Sequence, residues 1–501
     1  MSLIREKLTN FFIYFFVDFT SVLYFYTIIL IINKGIGFNS ILLLLMFIGI
    51  IFIILKNQKE LIKFYKKHQI FICSVYIILI IFGFLMRFSF VYFQNRFYIS
   101  TKLSDTGVHW YGSNQLVKNG TFNKIIGEYE KLYPYLFSYT GSLAYVMSLF
   151  GTGYVSVLLL NIICDIISCL SLYLLFYRWK NDKMIGLFAM VLWTINPLQI
   201  VFCGLPLAIV IVNTFLILSI TIFYLCFMNE NNKFKLIIFS LLGGIILTIG
   251  NSYRPIFVVL LIGFLLYWFV LILEDNKKTQ KAIISCGGLM IGYLALKRLP
   301  VLLHKRFNSF FHGEKSHIGW SVFVGANYNT KGVWSPKDRD YFFGPVLVDR
   351  AGLNTDIASS IILKEAFLRY KKMVKNGELI QHFSNKVTML FGDVGNSIYD
   401  LPYVFTFSNR EMWYKYLKDV ILIYYYSIIL IIGISIVKQM KSKELKRDSS
   451  FRLLIIIIIL GLFSASMLVE VMNRYSLPFV TIYTILALDM LSTKKNNKKI
   501  Q

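Results

Sequence analysis

The sequence predicts an all-α polytopic membrane protein with about 12 transmembrane helices and two large extracytoplasmic loops, and three observations carry that prediction. Of the 501 residues, 57% are hydrophobic and only 16% are charged, whereas a soluble domain is about a quarter charged. Apolar blocks of about 20 residues, rich in Ile, Leu, Phe and Tyr, recur along the chain, each long enough to cross about 30 Å of hydrocarbon. Lys and Arg number 52 against 26 Asp and Glu, a formal net charge of +26. The basic residues gather in the links between blocks, as topology signals do. A nucleic-acid binder would concentrate them on one face of a folded domain, so no nucleic-acid partner is expected. A cytosolic enzyme, a disordered chain, collagen and a disulfide scaffold are excluded.

The expected spans, in order, are 11–32, 38–55, 69–91, 153–177, 184–203, 206–228, 235–250, 255–273, 281–300, 414–438, 451–469 and 475–492. Arg5 and Lys7 precede the first, which is too long for a signal-peptide core and is read as a retained anchor. Lys56 to Lys67 crowd the link after the second; Arg178, Lys180 and Lys183 follow the fourth; Lys233 and Lys235 the sixth; Lys277, Lys278 and Lys281 the eighth. Another basic cluster runs from Lys438 to Arg447, and Lys494 to Lys499 form a basic tail. Placing these links inside leaves both termini cytoplasmic in a multi-pass cell-membrane protein, with 92–152 and 301–413 outside. Residues 135–151 are apolar, yet a full crossing there would invert every later loop, so a re-entrant or interfacial helix is expected. The chain thus divides into a core at 1–300, a large outer loop at 301–413, and C-terminal helices with the basic tail at 414–501.

Cys73, Cys164, Cys169, Cys203, Cys226 and Cys286 all lie in or beside apolar runs and read as packing residues. His304, His312 and His317 are irregularly spaced and isolated from acids, so they do not read as a metal site. Asn119-Gly120-Thr121 is a formal glycosylation acceptor of little weight. Asp18 and Asp165 lie within spans and are expected to face the bundle interior.

Ionisable residues at the outer edge are few. Asp105 is the first acid after a long apolar span, in SDTGVHWYGSNQLVKNGTFN at 104–123. A carboxylate there can take a proton from an attacking hydroxyl, although its position alone does not separate it from a solvated loop Asp. Arg254 and Arg474 sit at outer turns before Pro255 and Pro478. Charges at membrane depth cost roughly 2.5–3.5 kcal/mol on insertion scales and tend to be functional. Glu470 stands four residues before Arg474, as in a helical i,i+4 pair. His109 lies four residues after Asp105 and is either a phosphate contact or a plain loop His. The second outer segment interleaves Trp320, Tyr328, Trp334, Tyr341 and Phe342 with polar groups. Such rings either stack on sugars and amphipathic acceptors or pack a small loop domain.

An ordered set of motifs adds to this: Asp105, Tyr111, Gln115-Leu116-Val117 and Gly120; then Tyr133-Pro134-Tyr135; NPLQIVF at 196–202; SYRP at 252–255; GWSVFVGANYNTKGVWS at 319–335; and EVMNRYSLP at 470–478. The set resembles GT-C-type membrane glycosyltransferases, and is most similar to the branch of protein O-mannosyltransferases and bacterial aminoarabinose transferases. That resemblance implies a polyprenyl-phosphate-linked sugar donor and an inverting hexosyl or pentosyl transfer at the outer membrane face. The acceptor it implies is a cell-envelope polysaccharide, teichoic-acid-like polymer, lipid or protein. Asp105 would be catalytic, Arg254 and Arg474 would hold the departing lipid phosphate, and Glu470, His109, Tyr111, Trp320 and Trp334 would line the substrate site. The chain departs from the branch in carrying additional spans before the Asp105 loop, Thr106 where many members place a second acid, and no acid in GLPLAIV at 204–210. No cofactor or metal is therefore assigned, with a divalent metal left open. A polysaccharide polymerase and a lipid-linked oligosaccharide flippase or transporter are the rival readings.

Overall fold

A computed structural model describes residues 67–92, 104–229, 232–274, 279–310, 318–392, 394–399, 401, 410–442 and 450–491. The expected spans 11–32 and 38–55, Asp18, His312, His317 and the basic tail lie outside the described residues. Among the described residues there are helices and turns and no strands.

In chain order the helices are α1 (Gln69–Tyr92), α2 (Asp105–Asn119), α3 (Lys124–Leu132), α4 (Leu136–Phe150), α5 (Val155–Lys180), α6 (Lys183–Thr194) and α7 (Pro197–Cys203). There follow α8 (Ile209–Phe223), α9 (Lys233–Tyr253), α10 (Phe257–Glu274), α11 (Thr279–Ala295), α12 (Leu299–Phe307), α13 (Ile318–Gly325) and α14 (Pro336–Tyr341). The last are α15 (Thr355–Lys375), α16 (Leu379–Phe391), α17 (Arg410–Ser442), α18 (Ser450–Leu468) and α19 (Leu477–Leu491). Among the described residues seven helices are long and apolar enough to cross a membrane, or eight if the bent pair α6–α7 is one span. Ten crossings were expected over those residues. The difference has local causes, because α10 has too short an apolar stretch, α19 has 15 residues, and α6–α7 is broken.

The break follows from Asn196-Pro197. Proline has no N–H for the helical ladder and pushes the preceding residue out of the helical region. Asn196 uses the interruption, capping α7 by accepting from the Leu198 N–H at 3.0 Å, and the two halves meet at 58°. The carbonyl of Thr194, freed by the break, accepts from Arg87 Nη1 at 2.7 Å. Arg87 Nε in turn lies 2.8 Å from Asp165 Oδ2, and the Trp193 indole donates to Asp165 Oδ1 at 2.8 Å. Asp165 thus faces the interior as expected.

Tight packing elsewhere rests on small residues. Gly244 of α9 meets Gly292 of α11 so closely that a Cβ on Gly244 would stand 2.2 Å from the Leu289 carbonyl oxygen. At one end of the bundle Asp489 accepts from Lys180 at 2.5 Å and Arg452 at 2.6 Å. Arg452 opens α18 and Glu470 follows its end, so this cluster and the charged residues singled out above stand at opposite ends of one helix.

Helix α4 occupies Leu136–Phe150 of the apolar stretch at 135–151, and its 15 residues span only about 22 Å. Tyr139 near its start donates to Asn161 of α5 at 3.3 Å, and Gly151 just past its end accepts from Ser156 of α5 at 2.6 Å. Both ends of α4 therefore sit on the first two turns of α5, and α4 lies across the end of the bundle. Residues 318–375 fold as helices and turns around Trp320, Phe323, Phe342, Val346 and Ile362, and Leu132, Tyr133 and Leu136 join the same core. The two long loops thus share one interior.

Candidate active site

The site begins at the start of α2. Ser104 caps the helix by accepting from the Gly107 N–H at 3.1 Å, which leaves Asp105 in the first turn, where the helix dipole favours a negative charge. The Tyr129 hydroxyl of α3 donates to Asp105 Oδ1 at 2.5 Å. Arg474 forms an ion pair with Asp105 Oδ2. Burial alone would raise the Asp105 carboxyl, but Arg474, the Tyr129 hydroxyl, His109 and Arg254 outweigh it and hold the group below its ordinary value.

Arg474 comes from the single 3-10 turn Asn473–Ser476 between α18 and α19. Its guanidinium lies 5.5 Å from the Tyr399 ring centroid, and that of Arg254 lies 4.0 Å from the Tyr475 ring. Glu470 is buried and accepts from the Tyr133 hydroxyl at 3.1 Å. Burial pushes the Glu470 carboxyl up to about 7, and the Asp105 charge adds to that shift against Arg474 and Arg254. Asp105, Arg254, Glu470 and Arg474, from three distant parts of the sequence, are thus near enough to feel one another. The helical i,i+4 pairing expected for Glu470 and Arg474 is corrected. The helix ends at Leu468 and residues 470–472 are not helical, Met472 being extended, because their backbone bonds another segment: Glu470 N–H donates to Ser321 O at 2.7 Å and Val471 N–H to Gly332 O at 2.9 Å. The motif at 319–335 supplies both acceptors.

Behind Asp105 runs a buried polar chain. The Thr140 hydroxyl bonds His109 Nδ1 at 2.9 Å and donates to Glu130 Oε1 at 3.2 Å, while His304 Nε2 stands 3.2 Å from Glu130 Oε2. Burial pushes the Glu130 carboxyl up and the His109 imidazole down to about 4. His109 is therefore an interior group, edge-on to Tyr139 with 4.7 Å between ring centroids, not a loop residue. His304, expected to be remote from acids, rests on one.

The aromatic residues divide similarly. Trp320 is fully buried, edge-on to Phe342 at 5.4 Å and to Tyr133 at 6.3 Å, so it packs the loop core and presents no stacking face. Trp334 is half-buried against that core, as is Tyr111 against Val108, Phe122 and Ile126. Tyr129 and Tyr133 hold the two carboxylates; the sequence singled out Tyr133 only within a motif, and Tyr129 not at all. Tyr129 lies on α3 and Tyr133 is the non-helical residue that follows its end. Among the described residues no group of three or more His, Cys, Asp or Glu is arranged to hold a metal. Asp105 meets an arginine on one oxygen and a phenol on the other.

No protein-family model matches this sequence, and no curated protein matches it. Among solved structures the chain is similar to an archaeal oligosaccharyltransferase, AglB from Archaeoglobus fulgidus in complex with an inhibitory peptide and a dolichol-phosphate. The TM-score is 0.44 at 14% identity, over 85% of this chain and 50% of that one. A second Archaeoglobus fulgidus oligosaccharyltransferase structure, tethered with an acceptor peptide, gives a TM-score of 0.43 at 11% identity, over 86% and 50%. ArnT from Cupriavidus metallidurans bound to undecaprenyl phosphate gives 0.36 at 11% identity, over 83% and 77%. The chain spans about half the length of the oligosaccharyltransferase chains it matches. These neighbours are GT-C glycosyltransferases. What the present chain does is read from its own side chains.

Proposed function

We propose that this protein is a membrane glycosyltransferase that moves a sugar from a polyprenyl-phosphate donor to a cell-envelope acceptor at the outer membrane face, with both termini cytoplasmic. The observation that supports this reading is the cluster of two carboxylates and two guanidiniums gathered from the first outer segment and from the ends of α9 and α18. Arginines are suited to gripping a lipid phosphate through paired N–H donors, and a carboxylate poised near neutral pH is suited to taking a proton.

In this reading the acceptor oxygen attacks the anomeric carbon as the bond from that carbon to the phosphate oxygen breaks. The phosphate leaves with the electron pair, stabilised by Arg254 and Arg474. The acceptor proton needs a base. Asp105 has one oxygen engaged by Tyr129 and the other by Arg474, so its part is to orient Arg474 and the incoming hydroxyl. Glu470 accepts from Tyr133 on Oε2 alone among the described residues, which leaves Oε1 to receive the proton. The attack inverts the sugar configuration.

The test is sugar transfer in membrane vesicles from a labelled polyprenyl-phosphate sugar to extracted envelope acceptor. Asp105→Asn should lower transfer at least about 100-fold, a loss typical of removing an orienting charge, with protein abundance and donor binding near those of the natural chain. Full activity in that variant would remove the site. Transport of intact lipid-linked glycan without bond cleavage would favour a flippase instead.

A further inference from the structure

We propose that Lys386 is a positioning residue for this site, holding in place the non-helical segment that carries Glu470 and leads to Arg474. The proposal rests on the sugar-transfer reading above. Lys386 lies on α16 with its side chain fully buried. Its Nζ donates to Gly325 O at 3.2 Å, to Met467 O at 2.7 Å and to Val469 O at 2.6 Å. Gly325 is the last residue of α13, and α18 ends at Leu468. The ammonium thus sits at the C-terminal ends of two helices, where unpaired carbonyls and the negative end of the dipole favour a cation. An ammonium has three N–H donors, and here all three are used.

The surroundings leave the lysine little freedom. A Cβ on Gly325 would stand 2.4 Å from the Val469 carbonyl carbon, so the end of α13 and the segment after α18 touch backbone to backbone. Gly332, in the left-handed region at φ +77°, lies against the lysine stem, where a Cβ would be 3.1 Å from Cε. Gly332 also accepts from the Val471 N–H. Burial pushes the Lys386 ammonium down to about 7, while the Glu470 charge opposes that shift. A residue of purely packing character would not need the charge. Here the ammonium ties together three converging carbonyls, of which Gly325 O also meets His382 Nε2 at 2.8 Å and Met467 O the Tyr370 hydroxyl at 3.3 Å, and it fixes where the chain turns toward Tyr133 and Asp105.

The experiment compares the full-length natural protein with Lys386→Met, which keeps the bulk and removes the donors. Hydrogen exchange across residues 469–472 should quicken at least about tenfold, as a freed backbone bond allows, while α8 exchanges as before. The concentration of undecaprenyl phosphate that half-protects the protein against heat should rise about tenfold, the scale of one lost charge-assisted contact. Unchanged exchange at 469–472, or equal loosening of α8, would overturn the positioning role. Should Lys386→Met fail to fold, Lys386→Gln retains two donors and should show the same local change at smaller size. If the natural protein gains no protection from undecaprenyl phosphate, the sugar-transfer reading falls, and exchange at 469–472 still decides whether Lys386 places that segment.

Discussion

Arg87 and Asp165 pair among the helices with both side chains fully buried, whereas Arg474 and Asp105 pair at the bundle end with 6% and 19% of their side chains exposed. Each pair joins the same residue types across a long stretch of sequence. Around Asp165 the neighbours close the pair off, since Trp193 takes one oxygen and Arg87 spends another donor on the carbonyl freed at Thr194. Around Asp105 the neighbours are further charges: Glu470, Arg254 and a partly exposed approach. An intramembrane ionisable residue is usually taken as functional. The contrast lies in the surroundings: the buried pair at Asp165 braces a broken helix, while the pair at Asp105 has two further charged side chains, Glu470 and Arg254, close enough to shift its carboxyl and each other.

The sharpest way to break that contrast is to unpair each site. Asp165→Ala leaves Arg87 buried without its counter-ion, and removal of one partner of a buried pair costs about 3–5 kcal/mol. Folded protein recovered from membranes should fall severely. Replacing Arg87 and Asp165 together by leucine should restore part of it, though not all, because the Thr194 carbonyl still loses its donor. Normal yield of Asp165→Ala would erase the distinction.

A smaller effect is expected in the pH profile. A base must be deprotonated, and burial together with the Asp105 charge holds the Glu470 carboxyl near 7. Transfer should therefore rise with pH through about 7, and the rise should vanish in the residual activity of Glu470→Gln. The same shift links to stability with a definite sign. Glu470 keeps its proton in the folded state above its unfolded value of 4.5, so its contribution is present below that value and is lost as pH rises through about 7. A profile that is flat between pH 6 and pH 8 in the natural protein would assign the proton elsewhere.

The smallest effect should come from Arg254→Ala. Its guanidinium lies on the Tyr475 ring, and Arg474 remains in the variant to meet the phosphate. Affinity for undecaprenyl phosphate should weaken by roughly tenfold, a charge-assisted contact being worth about 1.5–3 kcal/mol. Melting behaviour should stay close to natural.

The charged cluster of the candidate site was partly legible in the sequence: Arg254, Glu470 and Arg474 were conspicuous where most neighbours are apolar, and Asp105 was singled out by the motifs around it and not by position alone. Their partners were not. Tyr129 and Tyr133 look like any aromatic of a loop until α3 and the turn that follows it bring them to the carboxylates. Glu130 and His304 pair only once the two outer segments fold together, and Lys386 resembles an ordinary surface lysine of an amphipathic helix. Trp320 failed differently, since an aromatic beside polar groups reads alike whether it faces a sugar or fills a core. The apolar runs themselves were visible as helices, while the turn after Leu468 depends on acceptors at Ser321 and Gly332 that no local pattern reveals.

Helix α4, lying across the end of the bundle, has a consequence for reach. Tyr145, Leu149 and Phe150 at its far end are largely exposed, and apolar side chains on such a helix settle at the boundary between headgroups and acyl chains. On its other face Thr140 touches the buried chain that backs Asp105. Helix α4 thus joins an exposed apolar edge on one side to the backing of Asp105 on the other, so that whatever surface takes up Tyr145, Leu149 and Phe150 is tied through Thr140 and His109 to a fixed distance from the carboxylates.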